Sequence, residues 1–150
     1  MKTALIIGSS GLTGSHLLQQ LLNSPKYEKV ISFSYRESEV KHPKLTHHIV
    51  DFDDLQSFCE LVNGDDFFCT LGTTIKKAGS KEAFRKVDYL YSKQFAKCAM
   101  ANGVAQFQII SALGADAKSS NFYSKTKGEI EDYLKENTFK SVSIMRPSLL

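Results

Sequence analysis

The sequence lacks the features typical of a membrane protein, a secreted protein or a nucleic-acid-binding protein. No apolar run approaches the ~20 residues that a membrane-spanning helix needs. The apolar part of the N-terminus MKTALIIGSSG is too short for a signal peptide and predicts a buried first strand instead. The formal net charge is only +3, which gives no strong electrostatic case for a nucleic-acid or membrane partner. We therefore expect no nucleic acid and no membrane among its partners.

Cysteine is scarce and shows no metal-binding or disulfide pattern. The three cysteines stand apart at Cys59, Cys69 and Cys98. No pair has the spacing of a metal site, and an odd, scattered set predicts reduced thiols in a cytoplasmic protein. Three histidines, His42, His47 and His48, cluster around the start of the third predicted strand, but no cysteine or paired acid lies near them to complete a metal site. We expect no metal.

The remaining pattern alternates short apolar runs with helical periodicities. With 150 residues, of which 42% are hydrophobic, the chain can form one domain, residues 1–150, with a sizeable core. Strands are predicted at TALIIG, KVISFSY, THHIVDF, DDFFCTLG, AQFQIIS and KSVSIMRP. Helices are predicted at LTGSHLLQQLLN, DDLQSFCELVNG, KEAFRKVDYLYSKQFAKCAMANG and YSKTKGEIEDYLKEN. This alternation predicts an α/β fold with a doubly wound parallel sheet of about six strands and helices on both faces.

The segment GSSGLTG joins the first predicted strand to the first predicted helix. In a βαβ unit such a turn presents free backbone N–H groups at a helix N-terminus, where a phosphate binds. Gly8 and Gly11 are three residues apart, so the segment departs from GxGxxG. Alone it could be only a tight turn, but its position between strand and helix favours dinucleotide binding.

The end of the second predicted strand indicates which dinucleotide is preferred. NAD-binding folds usually place an acid there, about 20 residues after the glycines, to bind the ribose 2′-OH. Here the sequence reads SFSYRES, with Tyr35 and Arg36 at that place and Glu37 one residue later. Arg36 could pair with a 2′-phosphate or be an ordinary exposed residue at the end of a strand. The pattern favours NADP(H) over NAD(H).

A second group of polar residues follows the fifth predicted strand. Ser111 lies at the carboxyl end of that strand, where α/β proteins bind ligands. Tyr123 and Lys127 are four residues apart, so they share one face of the last predicted helix. Carbonyl reduction needs a proton donor, and an ammonium near a tyrosine favours the phenolate form. The pair alone could arise by chance, but its combination with Ser111 and the glycine turn favours a reductase.

These segments resemble the short-chain dehydrogenase/reductase superfamily. GxxGxxG, Ser–Tyr–x–x–x–Lys and the RP after the sixth strand carry that resemblance. VDF, CTLGTTIKKAGSKEAF, VDYLYSKQFAKCA, ISALGADAKSSNFYSKTKGEIE and MRPSLL are similar to the atypical Tat-interacting-protein-like oxidoreductases and their small bacterial relatives. The similarity covers essentially residues 3–150.

The resemblance implies a Rossmann fold that binds NADPH, with specific site residues. The implied cofactor-binding positions are Gly8, Ser9, Ser10, Gly11, Leu12, Thr13, Gly14, Tyr35, Arg36, Asp51, Phe52, Leu71, Gly72, Thr73, Tyr123, Lys127, Pro147 and Ser148. The implied catalytic positions are Ser111, Tyr123 and Lys127. In the superfamily the helix after strand four often forms a dimer face, so a homodimer is an expected form of the protein.

Two departures from the family pattern qualify the expected function. Asp88 occupies the position at which many superfamily members carry an asparagine that relays protons. Family members also continue beyond RPSLL with segments that close the substrate pocket, so we expect a C-terminally shortened chain. The expected function is NADPH-dependent reduction of a small carbonyl substrate by a Ser–Tyr–Lys site. The alternative is a non-catalytic NADP(H)-binding sensor or protein-interaction module.

Overall fold

A six-stranded, all-parallel sheet forms the centre of the molecule. The computed structural model describes residues 1–148. The strands are β1 (Lys2–Ile7), β2 (Tyr27–Ser34), β3 (Leu45–Ile49), β4 (Asp66–Cys69), β5 (Gln106–Ile110) and β6 (Ser141–Met145). Their order across the sheet is β3-β2-β1-β4-β5-β6, and every neighbouring pair is parallel. This order reverses between β1 and β4, which is the point where doubly wound folds bind ligands.

Helices cover both faces of the sheet. They are α1 (Leu12–Asn23), α2 (Ile75–Ala78), α3 (Lys81–Arg85), α4 (Ser92–Ala101) and α5 (Phe122–Lys135). Side chains of β1 alternate between the two faces: Ala4 and Ile6 belong to the core beneath α1, whereas Leu5 and Ile7 belong to the core beneath α4 and α5. All four are fully buried, which is why this strand is one uninterrupted apolar run. The predicted doubly wound α/β fold is confirmed.

The larger core is organised around the ring of Phe95 on α4. The Phe58 ring stacks on it with centroids 4.5 Å apart, and the rings of Phe33 and Phe67 lie at 5.5 and 5.8 Å. Phe52, which follows β3, packs edge-on against Phe95 at 5.2 Å. This packing anchors the segment after β3 to α4.

The predicted helix at DDLQSFCELVNG is wrong. Two short 3₁₀ turns, Leu55–Ser57 and Cys59–Leu61, replace it. Phe58 separates them with φ −133° and ψ −13°, outside the α-helical region, and its side chain is 1% exposed. Its ring is buried against Phe95, a contact that two short 3₁₀ turns accommodate.

The expectation of reduced thiols is wrong for two of the three cysteines. Cys59 and Cys98 form a disulfide that links the second 3₁₀ turn to α4. Cys69 is free and buried. The two bonded cysteines are 39 residues apart, on elements that only the folded chain brings together.

The long helix predicted after the fourth strand is interrupted by one wider segment. Between α3 and α4 the backbone is π-helical over Lys86–Tyr91. Asp88, within that segment, is 2% exposed and points into the molecule. Single π turns in longer helices are frequent at functional sites. No helix within residues 1–148 combines the length and the apolar character needed to cross a bilayer.

Candidate functional site: a cleft along the carboxyl ends of the strands

The turn between β1 and α1 requires glycine at two positions. Gly8 has φ +81°, and a Cβ there would lie 2.5 Å from the carbonyl carbon of Thr70. A Cβ on Gly14 would lie 1.9 Å from the carbonyl oxygen of Gly8. At Gly11, by contrast, an added Cβ would meet only that oxygen, at 3.5 Å. Gly8 and Gly14 therefore allow close packing of turn, strand and helix, whereas Gly11 borders open space.

The N-terminus of α1 is suited to a phosphate. Gly11 is its N-cap residue, so no side chain caps the first turn, and that turn contains no acidic residue. The Gly11 N–H donates to the Gly8 carbonyl at 3.2 Å, and the first hydrogen bond of the helix runs from the Ser15 N–H to the Gly11 carbonyl at 2.9 Å. The N–H groups of Leu12, Thr13 and Gly14 therefore have no acceptor within the helix. Free N–H groups and the positive end of the helix dipole attract an anion. The turn thus fits the pyrophosphate of a dinucleotide.

A first cavity, of about 450 Å³, lies beside this turn. Among the predicted positions it is lined by Gly8, Ser10, Gly11, Tyr35, Arg36, Asp51, Phe52, Leu71, Gly72 and Thr73. The structure adds Asp53 and Tyr91, which the sequence did not single out for this site. The Tyr91 hydroxyl donates to Asp53 Oδ1 at 3.0 Å, and Lys86 Nζ lies 2.9 Å from the same oxygen. Lys86 and Tyr91 together lower the pKa of the Asp53 carboxyl, so it stays ionised at the cavity rim.

Arg36 lies where the cleft passes the end of β2. Its guanidinium is exposed and lies 5.0 Å from the centroid of the Tyr35 ring. A second cavity of about 410 Å³ contains Arg36 together with Ser9 and Ser10 of the glycine turn. Glu37 and Glu39 line the same cavity. One permanent positive charge and two carboxylates therefore border the position predicted for a 2′-phosphate.

A third cavity, of about 650 Å³, contains the predicted catalytic residues. Its lining includes Gly11, Leu12, Thr13, Leu71, Gly72, Thr73, Ser111, Tyr123, Lys127, Pro147 and Ser148. The structure adds Lys77 of α2 and Leu113 to this lining. Gly14 lines none of these three cavities, because it is buried beneath the turn. All the other predicted site residues border this continuous cleft.

Lys127 is fixed by a buried carboxylate. Its Nζ donates a short hydrogen bond to Asp88 Oδ1, and the two side chains are 8% and 0% exposed. The Thr73 N–H donates to Asp88 Oδ2 at 3.2 Å. Burial raises the pKa of the Asp88 carboxyl, and the Lys127 ammonium opposes that rise. Lys127 Nζ also lies 5.7 Å from the centroid of the Tyr123 ring, so the ammonium is near the phenol.

Ser111 is held by a second buried carboxylate. Its hydroxyl donates to Glu131 Oε2 at 2.6 Å, and Glu131 is 1% exposed. Arg146 Nε donates to both oxygens of Glu131, at 3.1 and 3.2 Å. With its proton engaged, the Ser111 oxygen offers acceptor lone pairs to the cleft and becomes a donor there only when its O–H rotates away from Glu131.

Sequence reasoning missed Glu131 although a signal was present. Glu131 follows Lys127 by four residues, so the two lie on one face of α5. Arg146 sits in the RP segment that the resemblance had already marked. Among residues 1–148, no group of three or more His, Cys, Asp or Glu side chains is placed to hold a metal ion.

Comparison with known proteins identifies relatives over nearly the whole chain. A family model described as NAD(P)H-binding matches residues 8–150. Protein HTATIP2 of Rattus norvegicus is 36% identical, over 99% of this chain and 63% of its own length. Protein FMP52, mitochondrial, of Candida albicans is 31% identical, over 99% of this chain and 67% of its own length. The chain thus spans about two thirds of the length of these relatives.

Solved structures share the fold at low sequence identity. WbmH of Bordetella bronchiseptica, in complex with NAD⁺, gives a TM-score of 0.80 at 18% identity over 97% of this chain and 56% of its own. UDP-glucose 4-epimerase of Thermotoga maritima gives 0.78 at 16% identity, over 96% of this chain and 54% of its own. At such identities the likeness shows the fold alone, a parallel sheet with helices on both faces.

Proposed function

Because the chain belongs to the atypical short-chain dehydrogenase/reductase family of NAD(P)H-binding proteins, we propose that it binds NADPH in preference to NADH and reduces a small carbonyl substrate. One observation carries this proposal. The cavity that contains Ser111, Tyr123 and Lys127 also contains Gly11 and Thr13 of the phosphate turn. A dinucleotide bound at the turn would therefore extend to the polar residues that reduction requires.

The residues of this chain provide the contacts that a dinucleotide needs. The first turn of α1 receives the pyrophosphate. Phe52 supplies an apolar surface for the adenine, since it lines the first cavity while packing against Tyr91 at 5.3 Å. The end of α5 that carries Lys127 supplies an ammonium for the second ribose. When bound, the cofactor supplies the hydride.

Arg36 supplies the preference for the 2′-phosphate. Its guanidinium is a permanent cation with a planar set of donors, which suits a phosphate. Glu37 and Glu39 border the same cavity and oppose the phosphate, so the preference depends on Arg36. NADH has no 2′-phosphate, so its affinity does not depend on Arg36.

Proton delivery to the carbonyl oxygen is the task of Tyr123. Its O–H would give a proton to that oxygen as hydride adds to the carbonyl carbon and the π-electron pair of the C=O bond moves onto the oxygen, and the Lys127 ammonium would stabilise the resulting phenolate. The Asp88 carboxylate holds that ammonium in place and partly neutralises its positive charge. While the Ser111 O–H is bonded to Glu131, its oxygen can only accept a hydrogen bond in the cleft. Ser111 donates a hydrogen bond to the substrate after its O–H turns away from Glu131.

Dinucleotide titrations followed by fluorescence test the cofactor preference. Arg36→Ala should weaken NADPH binding by about 10- to 150-fold, the loss expected for a hydrogen bond to a charged group, and leave NADH nearly unchanged. Lys41→Ala is the matched control, because it removes the same charge from the neighbouring loop and Lys41 lines none of the three cavities. Equal titration curves for NADPH and NADH in the parent protein would refute the preference.

Turnover tests the reaction. A panel of small aldehydes and ketones with NADPH should reveal reduction by this chain or by a longer form that includes the rest of the relatives' length. NADPH binding without turnover in both forms would favour the sensor or interaction module. Cytoplasmic localisation stays a prediction that cell fractionation tests, and FMP52 of Candida albicans is named mitochondrial. A homodimer also stays a prediction, and analytical sedimentation tests it.

A further inference from the structure

A cluster of hydrogen bonds behind Arg36 joins the ends of β2 and β3. His47 lies directly opposite Ser32 in the pairing of these two strands. Its Nδ1 is 2.6 Å from Ser32 Oγ, and its Nε2 is 2.8 Å from the Arg36 carbonyl oxygen. Ser34 Oγ is 3.1 Å from the same Nε2. We call Ser32, Ser34, Arg36 and His47 the His47 cluster.

The chemistry of the partners fixes the donors in the His47 cluster. A carbonyl oxygen only accepts, so Nε2 of His47 carries a proton and donates it to Arg36. In the neutral ring Nδ1 then accepts from the hydroxyl of Ser32, which is fully buried. Ser34 Oγ also donates to the Arg36 carbonyl, at 2.5 Å, and accepts from the Arg36 N–H at 3.3 Å. The peptide groups on both sides of the Arg36 Cα are therefore held.

The His47 cluster borders the cavity assigned to the 2′-phosphate. Ser34, Arg36 and His47 line it together with Ser9 and Ser10. The neighbouring His48 points to the other face of the sheet, where its ring stacks on Phe33 at 5.6 Å. Alternation along β3 thus gives one histidine to the cofactor side and the next to the core.

We propose that His47 is a positioning residue that sets the specificity for the 2′-phosphate by holding the Arg36 backbone at the end of β2. This inference rests on the proposed preference for NADPH. The Arg36 side chain is exposed and long, so binding a phosphate costs it conformational freedom. A backbone fixed in advance removes the backbone share of the cost of ordering this residue, and the gain applies only to a ligand that Arg36 contacts. NADH does not use it.

Titration of NADPH, NADH and 2′,5′-ADP against variants tests this role. His47→Phe keeps a ring of similar size without a donor and should weaken NADPH and 2′,5′-ADP by about three- to tenfold, the loss of one neutral hydrogen bond, with NADH unchanged. His47→Gln, which restores an amide donor, should recover much of the loss. His48→Phe is the matched control and should bind like the parent.

Ser32→Ala provides a second variant if His47→Phe does not fold. It removes the hydroxyl that bonds Nδ1 and so favours the proton on Nε2. We expect the same selective loss of NADPH and 2′,5′-ADP affinity, but a smaller loss than in His47→Phe. Equal weakening of NADPH and NADH, or an unchanged ratio of the two affinities in both variants, would overturn the role of His47. A parent protein without preference would overturn both this inference and the proposed preference, whereas an Arg36-dependent preference that is insensitive to His47 would overturn the inference alone.

Discussion

Replacing Gly11 and Gly14 by alanine should separate cofactor binding from folding. Both glycines belong to the turn GSSGLTG, and sequence reasoning treats them alike. In the structure a Cβ on Gly14 would lie 1.9 Å from the Gly8 carbonyl oxygen and 2.6 Å from Thr70 Oγ1. A Cβ on Gly11 would lie 3.5 Å from that carbonyl oxygen and would otherwise meet open space in the cleft. The methyl group at Gly14 would collide with atoms of the folded chain, whereas the methyl group at Gly11 would occupy space that the cofactor needs.

The magnitudes follow from those distances. The atom opposing Gly14 is backbone, so turn and helix must separate by about an ångström, which at the upper end of measured overpacking costs about 3 kcal/mol. For a chain of this size that lowers Tm by about 6–12 °C. Gly11→Ala costs at most about 1 kcal/mol, because alanine is a poorer N-cap than glycine. Its methyl group should weaken NADPH binding by about five- to 150-fold, if the same overpacking cost falls on the complex.

Thermal unfolding and NADPH titration of the two variants, side by side, provide the assay. We expect Gly14→Ala to melt well below the parent, and Gly11→Ala to melt near the parent while binding NADPH weakly. Parent-like melting of Gly14→Ala would refute the steric reasoning. A Gly11→Ala protein with parent Tm and parent affinity would mean that GSSGLTG only reverses the chain.

Three further predictions concern buried groups and the proposed proton donor. Lys127→Met should lower the free energy of unfolding in urea by about 3–5 kcal/mol, since it leaves the Asp88 carboxylate buried and unpaired, and adding Asp88→Asn should recover much of this loss. Because burial raises the pKa of Asp88, the folded protein binds that proton more tightly than the unfolded chain does, so the loss in the single variant should shrink as the pH falls toward ~4 and grow as the pH rises. A loss that does not change with pH would contradict this. Cys98→Ser should lower the unfolding free energy by roughly 4 kcal/mol, the loop-closure term for a separation of 39 residues, and a dithiol reductant should reproduce the loss in the parent; no effect of either would argue against the Cys59 link. Tyr123→Phe should reduce turnover by about 10²–10⁴-fold at nearly unchanged NADPH affinity, and unchanged turnover would remove it as the general acid.

The fold was largely predictable because its elements follow local patterns. Runs such as TALIIG and DDFFCTLG are apolar on both faces, as strands within a covered parallel sheet must be. The segment around Phe58 failed for a physical reason. Its apolar residues fit helical spacing, but the Phe58 ring packs against Phe95, and that long-range contact cannot be predicted from the local sequence. The same holds for Cys59 and Cys98, whose pairing depends on how the 3₁₀ turn meets α4.

The outline of the cleft was predictable for a topological reason. Parallel strands end at one edge of the sheet, so residues that follow β1, β2, β4 and β5 must gather there. The residues that hold the cleft in shape were harder to find. His47 is one of three histidines in a polar segment, and only the register of β3 against β2 places it opposite Ser32.

Two buried carboxylates connect the reactive residues to the fold. Asp88 accepts from Lys127 and from the N–H of Thr73, so one side chain joins α5, the π-helical segment and the loop after β4. Asp88 itself lies within the π-helical segment Lys86–Tyr91. Glu131 lies one turn after Lys127 on α5 and connects Ser111 to Arg146 at the end of β6. Each carboxylate is almost completely buried and compensated by a cation, so removal of either partner leaves the other charge unpaired. Substitution of Lys127 would therefore leave Asp88 without its cation, and substitution of Ser111 would take a hydrogen bond from Glu131. Tyr123, whose ring lies against Phe84 at 5.3 Å and keeps that contact as phenylalanine, is the cleaner position at which to test the reaction.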